Sequence, residues 1–222
     1  MSVAVLVSAA PAISTYDDLI SAIADALDRT DLSATQIPLF IAHAEREFNR
    51  LLRVRQMLSS ATAVATSRDV TMPSDFLKAH RIANLADDSR LIPVSIDSLS
   101  GYANRTDVTA YAQIGGVPPS LRLSPAPTSL TLDILYFAKI PSLSTNQQSN
   151  WLLASHHDVY YFMALAHAEA WLTNDARAKM WRDAADLVLN EIREADAVDR
   201  DPRGDTLATE FPGFMTRTTY LV

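Results

Sequence analysis

The sequence predicts an α+β protein: a four-helix body with an inserted small antiparallel β-rich region and an extended C-terminal tail. Apolar residues recur at helical spacing near both ends of the chain. Seven of the eleven prolines fall between Pro73 and Pro141, where a long helix would be interrupted. Residues 201–222 carry neither a helical nor a strand pattern. The expected segments are 1–58, an arm and two helices; 59–144, the β-rich insertion; 145–200, two more helices; and 201–222, the tail.

Two overlapping capping boxes mark the start of the first helix. Ser14 precedes Asp17 by three residues and Thr15 precedes Asp18 by three, so hydroxyls and carboxylates can bind free backbone amides. An apolar stripe follows at helical spacing. The polar stretch 28–31 is expected to end this helix.

The second helix is expected to run from Gln36 to Met57 and to carry a row of arginines. Arg46, Arg50 and Arg53 follow at i, i+4 and i+7, which places them on one helical face. Arginine suits ion pairs at interfaces, so we predict an inter-subunit contact with an acidic neighbouring face. Two other interpretations stay open: a solvated face near the negative helix C-terminus, and contact with nucleic acid.

The β-rich insertion is predicted from short runs of strand-forming residues. The most convincing is Leu130–Ala138, whose even positions put one face inward. Gly115-Gly116 followed by Pro118-Pro119 predicts a turn between two strands, and residues 97–104 a short helix. The seven expected strands are 61–66, 70–72, 81–85, 91–95, 110–114, 121–123 and 130–138.

The third helix is expected to begin at a capping box formed by Ser155 and Asp158. Residues 159–172 are apolar almost all round, and a helix of that kind must be buried on every side. With about four helices in the chain, we expect a subunit interface to cover part of it.

The fourth helix is expected to be amphipathic over 175–198. Its predicted inward residues are Trp181, Ala184, Ala185, Val188, Ile192 and Ala195, and its predicted exposed ion pairs are Asp175–Lys179 and Arg182–Asp186.

Composition limits the function classes. The 222 residues include no cysteine, which excludes disulfides and thiolate metal sites and fits a reducing compartment. A formal charge of −7 argues against binding DNA by phosphate neutralisation. No run approaches the ~20 apolar residues of a membrane span. Residues 1–13 lack the basic region of a signal peptide, and we interpret them as an apolar arm that packs on another surface.

Catalytic motifs are not found, so we predict no enzyme activity, no cofactor and no metal. The sequence has no Gly-x-Ser-x-Gly elbow, phosphate loop or dinucleotide fingerprint. The alternative is a metal-dependent phosphohydrolase built on His157-Asp158, with further ligands from His43, His80, His156 and His167. His43 and Glu47 share a helical face, and we interpret them as a solvated pair.

Several stretches resemble the adaptor proteins of tailed bacteriophages, which connect head to tail. Together they span roughly residues 16–195 in a consistent order. They are Leu52-Arg-Val-Arg-Gln-Met57, Met72-Pro-Ser-Asp-Phe-Leu77, Leu121-Arg-Leu-Ser-Pro-Ala-Pro127, Leu135-Tyr-Phe-Ala-Lys-Ile-Pro141, Asn150-Trp-Leu-Leu153 and His157-Asp-Val-Tyr160.

The resemblance implies a structural virion protein that forms a homo-oligomeric ring of twelve copies below the portal protein. DNA would pass through its lumen without specific binding, and a downstream tail or nozzle protein would dock beneath. We expect aromatic and apolar residues of the C-terminal tail to occupy pockets on the portal: Phe211, Phe214, Met215, Tyr220 and Leu221. The alternatives are a metal-dependent α+β hydrolase or regulatory protein, and a more distal tail-completion component.

Overall fold

The structure, a computed structural model, describes residues 13–29, 31–32 and 35–200. Within them the helices are α1 (Tyr16–Leu27), α2 (Gln36–Leu51), α3 (Trp151–Ser155), α4 (His157–Trp171) and α5 (Asp175–Arg200). The strands are β1 (Leu58–Ala65), β2 (Asp69–Thr71), β3 (Phe76–Asn84), β4 (Ile92–Pro93), β5 (Ala110–Ile114), β6 (Ser120–Ser124) and β7 (Leu130–Ala138). Helices plus inserted strands confirm the α+β class. We call α1–α5 the helical body and β1–β7 the β module.

α1 begins as predicted, with one change of partner. The Thr15 hydroxyl accepts from the Asp18 amide at 3.1 Å, and the Asp18 carboxylate accepts from the Thr15 amide at 3.0 Å. The Ser14 hydroxyl donates to Asp18, at 3.0 Å, where Asp17 was expected. Asp28 ends the helix in the left-handed conformation with φ 51°, which a short polar side chain tolerates.

α2 ends at Leu51, six residues before the predicted end at Met57. Leu52, Val54 and Met57 are all buried. Residues 52 and 54 would point to nearly opposite sides of a helix, so burying both on one side requires extended backbone. Leu52 adopts it, with φ −91° and ψ 139°. A short 3₁₀ turn, Arg55–Met57, then leads into β1.

The predicted β-rich region consists of two small sheets, and one of its strand pairs is parallel where only antiparallel pairs were expected. The first has strand order β1-β7-β3 and the second β2-β6-β5-β4; all pairs are antiparallel except β4–β5, which is parallel. β5 and β7 have the predicted bounds. Ile82 and Ile134 of the first sheet share a core with Leu121 and Leu123 of the second. Alternation gives each strand an apolar face, but it does not say which strands pair.

α4 is the centre of the helical body, and most of it is buried within one chain, although Trp171 at its end is 52% exposed. It packs against α1, α2, α3 and α5, and Tyr160, Met163 and Leu165 are fully buried. Burial of this helix is therefore mostly explained within one chain, and the subunit interface expected to cover part of it stays a prediction. The predicted capping box of Ser155 and Asp158 is also absent, because Ser155 already ends α3 and Asp158 accepts from the adjacent Val159 amide.

α5 is amphipathic as predicted, but two details differ. Ala195 is exposed, and Asp196 is buried in its place between Arg55 and Arg200. Lys179 pairs with Asp183 at 2.6 Å instead of with Asp175, whereas the predicted Arg182–Asp186 pair is present at 3.4 Å. No helix in the described ranges is both long and apolar enough to cross a membrane.

The return linker, residues 140–150, joins the β module back to the helical body through buried polar contacts. The Asn49 side chain accepts from the Ile140 amide at 2.9 Å, and Glu45, one turn earlier on α2, accepts from the Leu143 amide at 2.7 Å. Tyr160 of α4 lies against the same carboxylate at 3.5 Å. Burial raises the pKa of Glu45, while these hydrogen bonds oppose the rise.

Glu45→Gln should stabilise the protein relative to wild type as the pH rises from about 4 to about 8. A raised pKa in the folded state means that the contribution of Glu45 is greatest at low pH and is lost as the pH rises through the folded pKa. Glutamine keeps the acceptor oxygen but has no charge to desolvate.

The control is Glu45→Ala, which leaves the Leu143 amide without its acceptor and should cost about 1–3 kcal/mol. Both free energies are measured by urea unfolding at several pH values. The explanation would be contradicted if the free energy of unfolding of the glutamine variant fell relative to that of wild type as the pH rises.

Candidate functional site

A polar cleft of about 660 Å³ lies where α2, α4 and the beginning of the return linker meet. Three of its basic side chains, Arg46, Arg50 and Lys139, are exposed. We call it the arginine cleft; its lining residues are His43, Arg46, Glu47, Asn49, Arg50, Lys139, Ser142 and His167. It therefore contains two of the three arginines that the sequence singled out.

Glu47 joins three helices at the floor of the arginine cleft. Its carboxylate lies 2.7 Å from Arg182 of α5, 3.4 Å from the Nε2 atom of His167 on α4, and 3.7 Å from Arg50. With 13% of the side chain exposed, Glu47 is not the solvated partner of His43 that the sequence predicted. Helical spacing within α2 could not reveal partners that arrive from α4 and α5.

The two histidines of the arginine cleft face each other, with ring centroids 5.7 Å apart. Burial lowers the pKa of His167, and the nearby Glu47 carboxylate only partly opposes this. His167 is therefore neutral near pH 7, and the positive charge of the cleft comes from Arg46, Arg50 and Lys139.

Arg53 does not lie in the arginine cleft, which corrects the predicted arginine row. Because α2 has already ended, its guanidinium folds back and donates to the carbonyls of Asn49, at 2.8 Å, and Leu52. Arg200 in turn donates to the Arg53 carbonyl. Burial lowers the pKa of Arg53. The side chain caps the C-terminal end of α2, where unpaired carbonyls favour a cation.

The outer face of α1 carries the opposite charge. Asp17, Asp25 and Asp28 are exposed along this helix. Within the described part of the chain, no basic side chain forms an ion pair with Asp25 or Asp28, and no carboxylate pairs with Arg46. One molecule thus presents an acidic helix face and a basic cleft that do not neutralise each other internally.

The histidines of the hydrolase alternative are scattered. His157 is exposed in the first turn of α4, and the His80 ring packs edge-on against Phe137 of β7, at 5.5 Å. Among residues 13–29, 31–32 and 35–200, no three histidine, aspartate or glutamate side chains converge as a metal site would require. The geometry gives no support to chemistry at His157-Asp158.

The predicted portal anchors of the tail lie outside the described residues. These are Phe211, Phe214, Met215, Tyr220 and Leu221. Arg46, Arg50 and Arg53 are accordingly the predicted interface residues whose positions the structure describes.

The chain combines a helical body with an inserted β module and exposed charged surfaces that are suited to ion pairs. The family model described as SU10 adaptor protein matches residues 14–208, which is most of the chain. The chain belongs to this family. It is a bacteriophage structural adaptor, a class of virion protein that contacts other head or tail proteins and is generally not enzymatic. No curated protein matches it.

Arg53→Ala should destabilise the monomer by about 1–2 kcal/mol, because it removes charged hydrogen bonds to the end of α2. Arg50→Ala, the matched control in the exposed part of the arginine cleft, should change the stability by less than about 0.5 kcal/mol. Urea unfolding of both variants at a concentration where the protein is monomeric measures the difference. Equal losses would show that Arg53 has no special role in capping α2.

Proposed function

We propose that this protein forms a ring that joins the portal of the phage head to the tail and surrounds the DNA channel. The observation that carries the proposal is the family match over residues 14–208, which makes the chain a phage adaptor. The ring symmetry, the contact with the portal and the DNA channel go beyond the family match and are what we propose. A ring is further supported by two complementary surfaces on each copy, one of which can contact the other on the next copy.

The arginine cleft and the acidic face of α1 supply such a pair of surfaces. A ring of more than two copies needs a heterologous interface, in which one surface of each copy meets a different surface of the next. In the proposed contact, Arg46 and Arg50 of one copy meet Asp25 and Asp28 of its neighbour. Arginine can bind a carboxylate through two parallel hydrogen bonds, which fixes orientation as well as adding energy.

The cleft is suited to this contact because two of its basic groups, Arg50 and Lys139, already have partners within the molecule. Arg50 lies 3.7 Å from Glu47, which Arg182 holds from the other side, and Lys139 follows β7 immediately. The Lys139 ammonium donates to the Ser74 carbonyl at 3.2 Å. Anchored side chains lose less conformational entropy when a partner binds.

The C-terminal tail is the proposed portal anchor. Phe211, Phe214 and Tyr220 can bury large apolar areas on a partner while few side-chain torsions lose their freedom, which suits them as anchors. Met215 and Leu221 would fill the gaps between them.

DNA is proposed to pass through the ring without specific binding. The net charge of −7 gives the assembly a repulsive field toward a polyanion, so DNA can move without sticking. The basic groups of the arginine cleft would be neutralised at the subunit contact.

Reversing Arg46 and Arg50 together to glutamate should weaken ring assembly without changing the monomer. Exposed ion pairs are worth about 0.2–1 kcal/mol each, so losing two at every interface should raise the concentration for half-assembly by about twofold to thirtyfold. Native mass spectrometry measures assembly and circular dichroism checks the fold. Asp25→Arg, added on α1, should restore part of the loss.

The matched control reverses Arg90 and Arg105, two exposed arginines of the β module. It should assemble like wild type. If the control and the test variant assemble equally well at low and at high salt, the arginine cleft does not contact a neighbouring subunit.

Truncation after Arg200 should leave the fold intact and abolish attachment to DNA-filled heads. The last described residue keeps its contacts with Asp196 and Arg53, so α5 is not disturbed. Phe211→Ala with Phe214→Ala should cause most of the same loss, because these rings provide most of the proposed apolar burial. Co-sedimentation with heads measures attachment. Wild-type occupancy by the truncated chain would move the portal contact to the helical body.

A further inference from the structure

β1 is an open sheet edge. It pairs with β7 over all eight of its residues without a register shift, and its other side has no backbone hydrogen bond to any described residue. The strand contains no charge and no proline. Ser60, Thr62 and Val64 are exposed on one face, with Val64 63% exposed, while Ala61 and Ala63 pack against the core of the β module.

The other three edges of the two sheets carry features that block pairing. β3 has two register irregularities and the charged residues Lys78 and Arg81, and the Leu91 amide binds its Ile82 carbonyl at 2.9 Å. β2 has three residues and begins with Asp69, and β4 has two residues and ends at Pro93. Bulges, charges, prolines and short length are the usual ways to protect an edge. β1 has none of them.

We propose that the β1 edge binds residues 3–7 of a neighbouring copy as an added strand. These residues are Val-Ala-Val-Leu-Val, with the β-branched valines at alternating positions and no charge. An added strand would satisfy the free backbone groups of β1 and extend its apolar face beyond Ala61 and Ala63. The inference rests on the proposed ring, since it needs a second copy beside the first.

The arm suits this edge better than the tail does. Residues 201–222 contain two prolines, two glycines and several charges, which interrupt strand pairing. Residues 3–7 also lack charge and contain β-branched side chains, so they match the β1 edge in both respects. Pairing of β1 with β1 of a second copy is excluded in a ring of more than two, because such a contact is isologous and closes as a dimer.

A neighbouring copy is the proposed donor because the arm and the edge belong to different parts of the molecule. Ile13 packs on the core of the helical body, and the Tyr16 amide donates to the Gln148 carbonyl at 2.7 Å. The arm therefore leaves from the helical body, whereas the open edge belongs to the β module. Residues 8–12 allow at most about 20 Å between Val7 and Ile13, which limits how far apart the two copies can be.

Disulfide trapping tests the proposal directly, because the chain contains no cysteine that would interfere. Copies carrying Thr62→Cys are mixed with copies carrying one cysteine at position 3, 4, 5, 6 or 7 and mildly oxidised. A disulfide forms when the two Cα atoms approach to about 5.5–6 Å. We expect cross-linking to alternate along the arm, strong at either the odd or the even positions, as the side-chain period of a strand requires.

The matched control is Thr71→Cys, an exposed position on the short edge strand β2. The Thr62 cross-link should exceed it at least about fivefold. Introducing Thr62→Lys with Val64→Lys should lower protection of the β1 amides in the assembled ring, measured by hydrogen exchange. Native mass is recorded for every sample.

The outcomes separate this inference from the proposed function. Normal rings without a Thr62 cross-link above the control would overturn the added strand and leave the ring standing. A cross-link that forms in a chain carrying both cysteines, but never between two singly substituted copies, would overturn the neighbouring donor. Failure of the wild-type protein to form rings would overturn both proposals.

Discussion

The attachment of the return linker to α2 is the constraint on which the rest of the structure depends. Glu45 and Asn49, one turn apart, accept the amides of Leu143 and Ile140. A buried amide without a partner costs about 1–3 kcal/mol, so the linker conformation that pairs both amides is strongly favoured. This conformation fixes the end of β7 beside α2, and with it the position of Lys139 and Ser142 in the arginine cleft.

The same contacts explain how one chain buries most of α4. Tyr160 reaches the Glu45 carboxylate. The side-chain amide of Asn150 donates to the Tyr160 hydroxyl at 2.8 Å and to the Pro141 carbonyl at 2.8 Å. The linker thereby closes over one side of α4 while α1, α2 and α5 cover the others. A helix without a polar face can be buried inside one molecule when the chain doubles back over it, so apolarity alone does not predict an interface.

The sequence predicted local features better than long-range partnerships. β7 was predicted to the residue because its alternation spans nine residues, and the cap at Thr15 because donor and acceptor are three residues apart. The end of α2 was missed because it depends on burying Leu52 and Val54 on one side, which only the packed core decides. Glu47 was missed as the centre of the arginine cleft because Arg182 lies 135 residues away in sequence. The tail anchors and the subunit contact stay predictions.

In the proposed assembly, stability and subunit contact use different surfaces of α2. Glu45 and Asn49 of α2 face the linker and hold the monomer together, Arg53 caps the helix end, and Arg46 and Arg50 remain exposed. Because the groups used for folding are satisfied within the chain, the exposed arginines can bind and release a partner without a cost to the fold. In the β module, β7 pairs with one side of β1, and the other side is the one proposed to bind a neighbouring copy. If the chain folds first and pairs afterwards, as this proposal requires, it stays a stable monomer until enough copies are present to close the proposed ring.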